Sequence, residues 1–562
     1  MSDMRSARHE MGKEVLAIFL LLMARACAFG VQYWPQLDDY IQYHNYALSE
    51  SFWELQTSMG LLASRPLAGL ADYFIWGSMY DYMILGVAMI SLALAVSAVL
   101  LKRQLSRYFY IGPLFLVVMT LLPLGVEGTY WMSASTRVVC GLLMAVLAAE
   151  AFLRWMDTGR WYWALSFLFL QLLPYGFYEQ SGVFSVALIV GMAILEVIRD
   201  WRRWKRALLS LWGLPAMKLY LEMTALLASD GVYSGRTETV TVNTPYWWDT
   251  FLPEVLDQMR SVFVEGMGAT LFQGLARVFQ WILSGQMLFW AFLTAALAVL
   301  CWRLFPKKEA GRGTLSPWLA IVAGVLLFLA PISIFFVLAN PWFSFRGAVT
   351  SFAGLALVCD TAVMALWSRL PGRKQGPAVL ATLAALIFCW AGAADIHDYR
   401  QTWETDQYIG QMTVQALQQD LEPEDNGRVG ILAVEPTYLS NQTYYYHEHI
   451  HGCTESAWAF QGLMTSLDGS RSWNVTPLPT DPMYRQWNAA SNRPDTFEHL
   501  YYFDGAELIP AVLEKEGETE CSIYDQEGRL LGVVREEDGV GYFFRPEQLS
   551  ICKKGEKVLA IH

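Results

Sequence analysis

The chain has 562 residues, of which 54% are hydrophobic and only 16% are charged. Soluble proteins carry about 25% charged residues, so this composition excludes an ordinary soluble protein. The formal net charge of −12 says little about partners, because the side of a membrane on which the charges lie matters more than their sum. We expect no nucleic-acid partner.

Uncharged stretches such as Tyr82 to Leu101 have the length of a membrane-spanning helix, since about 20 helical residues cross the hydrocarbon layer. We therefore predict an α-helical polytopic membrane protein with about eleven spans. Their approximate bounds are 14–33, 81–101, 109–127, 132–153, 160–177, 180–198, 206–228, 284–302, 316–338, 347–367 and 376–394.

Lysine and arginine occur in every second connection between these spans, most densely in "RDWRRWKR" (Arg199 to Arg206) after the sixth. Basic loops stay in the cytoplasm, so we predict an inner (plasma) membrane protein with a cytoplasmic N-terminus and its C-terminal domain outside. The first span also has features of a cleaved signal peptide, including "ARA" from Ala24 to Ala26. Arg25 makes that cleavage site atypical, and the rest of the topology is the same either way.

We predict two domains. Residues 1–394 form the transmembrane region, with long outer loops at 34–80 and 229–283, and residues 395–562 form a small α/β domain outside the membrane. The segments Asp39 to Met59 and Asp257 to Leu283 mix aromatic and polar residues in the pattern of amphipathic helices, which lie in the membrane interface.

In the C-terminal domain, composition and periodicity predict a helix at Asp406 to Leu421, a buried strand at Arg428 to Val434 and a helix at Glu455 to Met464. Later strands are predicted in "HLYYFDG" and "ECSIYDQEGRLLGVVREEDGVGYFF". The sequence "HEHIHGC" places three histidines at alternate positions, where a strand would turn them to one face. They suit either a zinc site or an ordinary surface segment; they are His447, His449 and His451.

Two adjacent carboxylates, Asp38 and Asp39, follow the first predicted span in "WPQLDDYIQYHNY". One interpretation is structural, because Asp is a preferred N-cap and its charge suits the positive end of a helix dipole. The other is chemical. Adjacent helical residues point in different directions, so we do not expect both carboxylates to do the same job.

With its many spans, two large outer loops, an outer C-terminal domain and "LDD" in the first loop, the chain resembles the GT-C superfamily of polytopic glycosyltransferases. It also resembles uncharacterised bacterial membrane families of this kind and the phage serotype-conversion glucosyltransferases. The resemblance implies transfer of a sugar from a polyprenyl-phosphate donor to a cell-envelope glycan or another acceptor at the outer face. In that superfamily the acidic residue of the first loop acts as a base or helps hold a divalent cation, which here implies Asp38 or Asp39, with Mg²⁺ or Mn²⁺.

Such a reaction needs a carboxylate to take the proton of the acceptor hydroxyl, and cations to offset the charge of the leaving phosphate. Arginine suits bidentate contact with phosphate. The candidates for contacting the lipid phosphate are Arg65, Arg137 and Arg346.

The arginine candidates also have structural explanations. Arg65 and Arg346 suit interfacial anchors that reach water, whereas Arg137 lies inside a span, where a charge is usually functional or paired. Glu179 before the sixth span is a candidate second acid, metal partner or sugar ligand, or a carboxylate that favours a helix N-terminus. Lys218 and Glu222 are predicted to form an ion pair within the bundle.

Two other functions stay open. A transporter or flippase of lipid-linked or envelope precursors would favour internal repeats and broken helices. The sequence has no evident repeat, but Pro215 and Pro331 interrupt predicted spans. A non-catalytic membrane scaffold would keep its phenotype after replacement of both Asp38 and Asp39.

Overall fold

The computed structural model describes residues 2–227, 238–304, 315–339, 341–368, 375–434, 452–480, 487–488, 492–517, 519–537 and 539–546. These residues form two compact units. The first unit comprises Met1–Tyr33 and Ser49–Asp398, and the second comprises Trp34–Leu48, Tyr399–Gln442 and Glu448–His562, each within its described residues. The segment that carries Asp38 and Asp39 therefore belongs to the second unit.

The first unit is built from helices, the last of which continues past Asp398 into the second unit, and a helix overlaps each of the predicted spans. Their bounds are Ser2–Ala26, Met83–Leu105, Leu114–Leu121, Met132–Thr158, Trp161–Leu170, Glu179–Arg199, Gly213–Leu226, Leu252–Arg260, Gly274–Leu283, Leu288–Leu304, Pro317–Leu329, Phe352–Trp367 and Gly376–Asp420.

Several of these helices have the length and composition of membrane spans, which supports a helical membrane protein. Among the described residues five segments qualify, or six if a pair bent by 119° counts as one span. The five are Pro66–Leu105, Met132–Thr158, Glu179–Arg199, Phe345–Trp367 and Gly376–Asp420, and the bent pair is Trp247–Leu283 with Leu288–Leu304.

Proline explains why some predicted spans are not long helices. In the predicted span 109–127, the helix Leu114–Leu121 follows Pro113 and ends before Pro123. Eight helical residues cover only about 12 Å, and proline removes a helical hydrogen bond and restricts the residue before it. In the same way Trp161–Leu170 ends shortly before Pro174, which lies in a separate short helix, Leu173–Phe177.

Local signals also set helix ends. The helix Met132–Thr158 ends at Gly159, whose φ of 65° is a left-handed conformation that glycine adopts without a steric penalty. The helix Pro317–Leu329 starts with the hydroxyl of Ser316 accepting from the backbone N–H of Leu319 and with proline in the first turn.

Two glycines let the helices Pro317–Leu329 and Phe352–Trp367 pack backbone against backbone. A Cβ on Gly354 would lie inside contact distance of the Phe328 backbone nitrogen and the Gly324 carbonyl oxygen. A Cβ on Gly324 would in turn lie 2.9 Å from the Gly354 carbonyl oxygen. Small residues are the usual solution for such close crossings in helical membrane proteins.

Gly354→Ala is therefore expected to destabilise the protein by about 1–3 kcal/mol, because the added methyl meets backbone atoms that cannot move aside. The measurement is thermal unfolding of the purified protein in detergent. Gly191→Ala is the matched control, since a Cβ at this helical glycine meets nothing within 4 Å. Equal melting temperatures for the two variants would contradict the close crossing.

The second unit contains an eight-stranded mixed sheet in the order β2-β1-β4-β5-β6-β7-β8-β3. β1 lies parallel to both β2 and β4, and the remaining neighbours are antiparallel. The strands are β1 (Val429–Leu432), β2 (Val475–Leu478), β3 (Trp487–Asn488), β4 (His499–Phe503), β5 (Leu508–Lys515), β6 (Glu520–Asp525), β7 (Leu530–Glu537) and β8 (Val540–Phe544).

The predicted elements of this unit are largely confirmed. β1 lies within the predicted buried strand, and Ala457–Leu467 forms the predicted helix. The side chain of Gln461 on this helix donates a hydrogen bond to the Val475 carbonyl of β2 at 3.1 Å. The hydrophobic core of the second unit includes Leu432, Leu478 and Phe543. The predicted helix at Asp406 to Leu421 is not a separate element. It continues a 45-residue helix, Gly376–Asp420, because neither proline nor glycine interrupts residues 393–409.

Candidate functional site

In the second unit, the turn from Gln36 to Asp39 is held by reciprocal hydrogen bonds. The backbone N–H of Asp39 donates to the Gln36 carbonyl at 2.8 Å, and the backbone N–H of Gln36 donates to Asp39 Oδ2 at 3.0 Å. Between them Leu37 has a φ of 41°, a conformation that costs a non-glycine residue energy. The Asp39 carboxylate thus stabilises a strained turn.

Further contacts within the second unit hold the segment Trp34–Leu48 in place. The side chain of Gln36 donates to the Tyr399 carbonyl at 2.9 Å, and Gln407 donates to the Tyr40 hydroxyl at 3.3 Å. Ile41 packs so closely on Gly462 that a Cβ there would meet its side chain. The segment predicted as an interfacial loop is therefore an integral part of the second unit.

Asp38 and Asp39 differ in exposure. Asp39 has no exposed surface, whereas Asp38 is partly exposed. Asp39 precedes the helical turn Tyr40–Asn45, but its side chain makes no capping hydrogen bond to that turn. The N-cap interpretation is therefore wrong for Asp39, because its carboxylate binds back to Gln36. Of the two residues, Asp38 has the larger exposed surface.

In the first unit, Arg65 and Glu179 form a partly buried ion pair. Nε of Arg65 donates to both carboxylate oxygens of Glu179, at 3.0 and 3.1 Å, and the guanidinium lies over the Tyr178 ring at 4.6 Å from its centroid. The Arg65 side chain is 25% exposed. Among the described residues, its two terminal nitrogens have no hydrogen-bond partner, so they present donors to a ligand.

The loop before Arg65 is fixed by aromatic side chains. The hydroxyl of Tyr220 donates to the Ser64 carbonyl, and the Tyr220 ring stacks on Tyr175 at 5.5 Å. Tyr175 in turn donates to the Gly213 carbonyl at 3.2 Å. This packing fixes the backbone beside Arg65, which lowers the entropic cost of holding its side chain in one place.

Arg137 is paired, as one of the two sequence interpretations predicted. Its Nη2 lies 2.7 Å from Asp72 Oδ2, and the side chains are only 12% and 1% exposed. The sequence analysis did not single out Asp72. The sequence feature that could have pointed to Asp72 is an acidic residue in an otherwise apolar helical segment, where an ionisable residue indicates a partner or a function.

Arg346 lies in a second charged group of the same unit. Its backbone N–H donates to Glu127 Oε1 at 3.2 Å, and its guanidinium lies 5.4 Å from the Trp131 ring centroid. Arg25 is buried and donates to the Leu121 carbonyl at 3.3 Å and the Thr129 hydroxyl at 3.1 Å. The hydrogen-bond partners of Arg25 include two neutral acceptors.

The first unit therefore brings Arg65 and Glu179 together, whereas it pairs the Arg137 guanidinium with Asp72 and the Arg346 backbone N–H with Glu127. The predicted Lys218–Glu222 ion pair is wrong. Both residues lie on an exposed face of the helix Gly213–Leu226 rather than within the bundle, and no ion pair joins them in the described chain.

No group of three or more His, Cys, Asp and Glu side chains within the described ranges is placed to hold a metal ion. His447, His449 and His451 lie outside the described residues. Cys453 and Cys521 are free and buried, and burial, the largest cause, raises the pKa of both thiols.

Comparisons with known proteins leave the family open. No protein-family model matches the chain, and no curated protein matches it.

Proposed function

We propose that this protein is a membrane glycosyltransferase that transfers a sugar from a polyprenyl-phosphate donor to a cell-envelope glycan or another acceptor at the outer face of the membrane. The single observation that carries the proposal is the arrangement of Arg65. A guanidinium is anchored through Nε and an aromatic ring, while its terminal nitrogens remain available. That is the arrangement needed for bidentate contact with a phosphate.

Arg65 is proposed to bind the donor phosphate and to stabilise the charge that this group gains as it leaves. Glu179 is then a positioning residue rather than a second acid. Both of its carboxylate oxygens accept from Nε of Arg65 and hold that guanidinium in place. The Arg137 guanidinium forms an ion pair with Asp72, and the Arg346 backbone N–H donates to Glu127. Neither residue is therefore proposed as the first contact of the lipid phosphate.

Asp38 is proposed as the general base because it is the more exposed residue of the adjacent pair. In such a reaction a carboxylate takes the proton of the acceptor hydroxyl, and the hydroxyl oxygen bonds to the anomeric carbon. The bond between that carbon and the phosphate oxygen breaks, and polyprenyl phosphate leaves with the electron pair. Asp39 is proposed to hold the turn that presents Asp38.

A transporter or flippase is the second candidate, because proline breaks helices such as Leu114–Leu121 and Trp161–Leu170 within apolar regions. Discontinuous helices are characteristic of substrate sites in transporters.

One experiment separates the two functions. The purified full-length protein is reconstituted in liposomes and supplied with a panel of polyprenyl-phosphate monosaccharides and envelope acceptors. The glycosyltransferase proposal predicts release of free polyprenyl phosphate and a glycosylated acceptor. Movement of intact donor between leaflets without release of polyprenyl phosphate would favour the transporter instead.

A further inference from the structure

A group of arginines at one end of the helices Met83–Leu105, Met132–Thr158 and Glu179–Arg199 is neutralised internally. The buried Glu196 accepts from the Tyr108 hydroxyl at 2.7 Å and from Arg107 at 3.3 Å, and it also binds Arg203. Arg107 forms two further hydrogen bonds to Asp157, at 2.7 and 3.0 Å. These inner arginines therefore need no external anion.

Outside this group lies a set of cations without such compensation. We call it the basic surface; it comprises Arg160, Arg202, Lys205 and Arg206. All four are exposed, and within the described chain none lies within ion-pair distance of a carboxylate. The charge of the basic surface is therefore open to an anionic partner.

Direct contacts join the two parts of the basic surface. Nη1 of Arg206 donates to the Met156 carbonyl at 2.9 Å, and the indole of Trp155 donates to the Arg206 carbonyl at 3.2 Å. Gly159 leaves room for the Arg206 guanidinium, which a Cβ there would meet at 2.7 Å. The turn that carries Arg160 thus lies beside the segment that carries Arg202 to Arg206.

Exposed tryptophans accompany these cations. Trp161 is 71% and Trp201 is 73% exposed, and Lys205 lies over the ring of the exposed Trp204. Met132–Thr158 and Glu179–Arg199, which end here, both have the length and composition of membrane spans. Tryptophan concentrates at the depth of lipid headgroups, so the basic surface lies where phosphate-bearing headgroups occur.

We propose that the basic surface is a binding site for the headgroups of anionic phospholipids in the leaflet that these helix ends face. Guanidinium and ammonium groups contact the lipid phosphate, and the exposed tryptophans lie among the headgroups. The proposal does not depend on sugar transfer, since it rests on the charge and exposure of residues that have no assigned role in that reaction.

The test uses the purified full-length protein in neutral detergent, titrated with phosphatidylglycerol or phosphatidylcholine and observed by native mass spectrometry. We expect phosphatidylglycerol to bind more tightly than phosphatidylcholine. Each cation near a membrane surface contributes to the free energy of binding to anionic lipid. We therefore expect Arg202→Gln, Lys205→Gln or Arg206→Gln alone to weaken phosphatidylglycerol binding about fivefold. Phosphatidylcholine binding stays unchanged. Arg529→Gln removes an exposed cation of the second unit that, within the described chain, also lacks an ion pair, and it serves as the matched control.

An equal loss of phosphatidylglycerol binding in the Arg529→Gln control would overturn the proposal, because it would show a general charge effect. Equal affinity for the two lipids would also overturn it. A third arm adds inorganic phosphate, which we expect not to displace the lipid. If inorganic phosphate displaces the lipid more than a salt of the same ionic strength does, the basic surface is a free phosphate site instead.

Discussion

Asp38→Asn is expected to lower the rate of sugar transfer by about 10²–10⁴-fold, the usual contribution of a positioned general base, while the thermal stability of the protein stays unchanged. The reason is that Asp38 is partly exposed, whereas Asp39 is buried and accepts the backbone N–H of Gln36. The measurement is release of polyprenyl phosphate by the purified variant, together with its melting temperature.

Asp39→Ala is the variant with which the stability of Asp38→Asn is compared. Removing a buried acceptor leaves the Gln36 N–H without its partner, at a cost of about 1–3 kcal/mol, so this variant is expected to melt at a lower temperature. If Asp38→Asn lowers stability as much as Asp39→Ala, its loss of activity reports damage to the fold. If Asp38→Asn transfers sugar at the normal rate, Asp38 is not the base.

Arg65→Gln is expected to weaken binding of the lipid-linked donor by about 10–100-fold, since hydrogen bonds to charged groups contribute about 1.5–3 kcal/mol. The effect should appear mainly in the KM for the donor. Arg65→Lys should recover only part of it, because an ammonium keeps the charge but not the planar pair of donors. Arg260→Gln, an exposed arginine paired with Glu265, is the control.

Combining this change with Glu179→Gln distinguishes the two roles considered for the glutamate. If Glu179 acts by holding Arg65, the double variant is little worse than Arg65→Gln alone, since coupled residues are not additive. If Glu179 is itself a catalytic acid or base, Glu179→Gln alone lowers kcat by about 10²–10⁴-fold, and its effect adds to that of Arg65→Gln. The latter outcome would restore the role that the sequence suggested for Glu179.

Which elements form was largely predictable, because local pattern decides it. Runs of apolar residues predicted helices at each candidate span, and short apolar segments predicted β1 and the helix Ala457–Leu467. The main error was continuity. Pro123 and Pro174 shorten helices that hydropathy alone treats as whole, since a hydropathy average takes no account of a lost backbone hydrogen bond.

The candidate site was predictable only as a set of residue types. Position relative to the spans singled out Arg65, Glu179 and the adjacent aspartates, and the cost of a charge in an apolar helix predicted that Arg137 is functional or paired. Nothing in the sequence joined Arg65 to a glutamate 114 positions away, or Arg137 to Asp72. Such pairs depend on which helices lie side by side.

The sequence by itself determined that this is a helix-rich protein with apolar segments long enough to span a membrane, followed by a small sheet-containing region. Those properties follow from hydropathy and periodicity among residues close along the chain. Only the tertiary structure decided that Asp39 is buried in a turn while Asp38 is accessible, and that Trp34–Leu48 belongs to the second unit. Burial and pairing arise from contacts between distant segments, and local patterns do not encode those contacts.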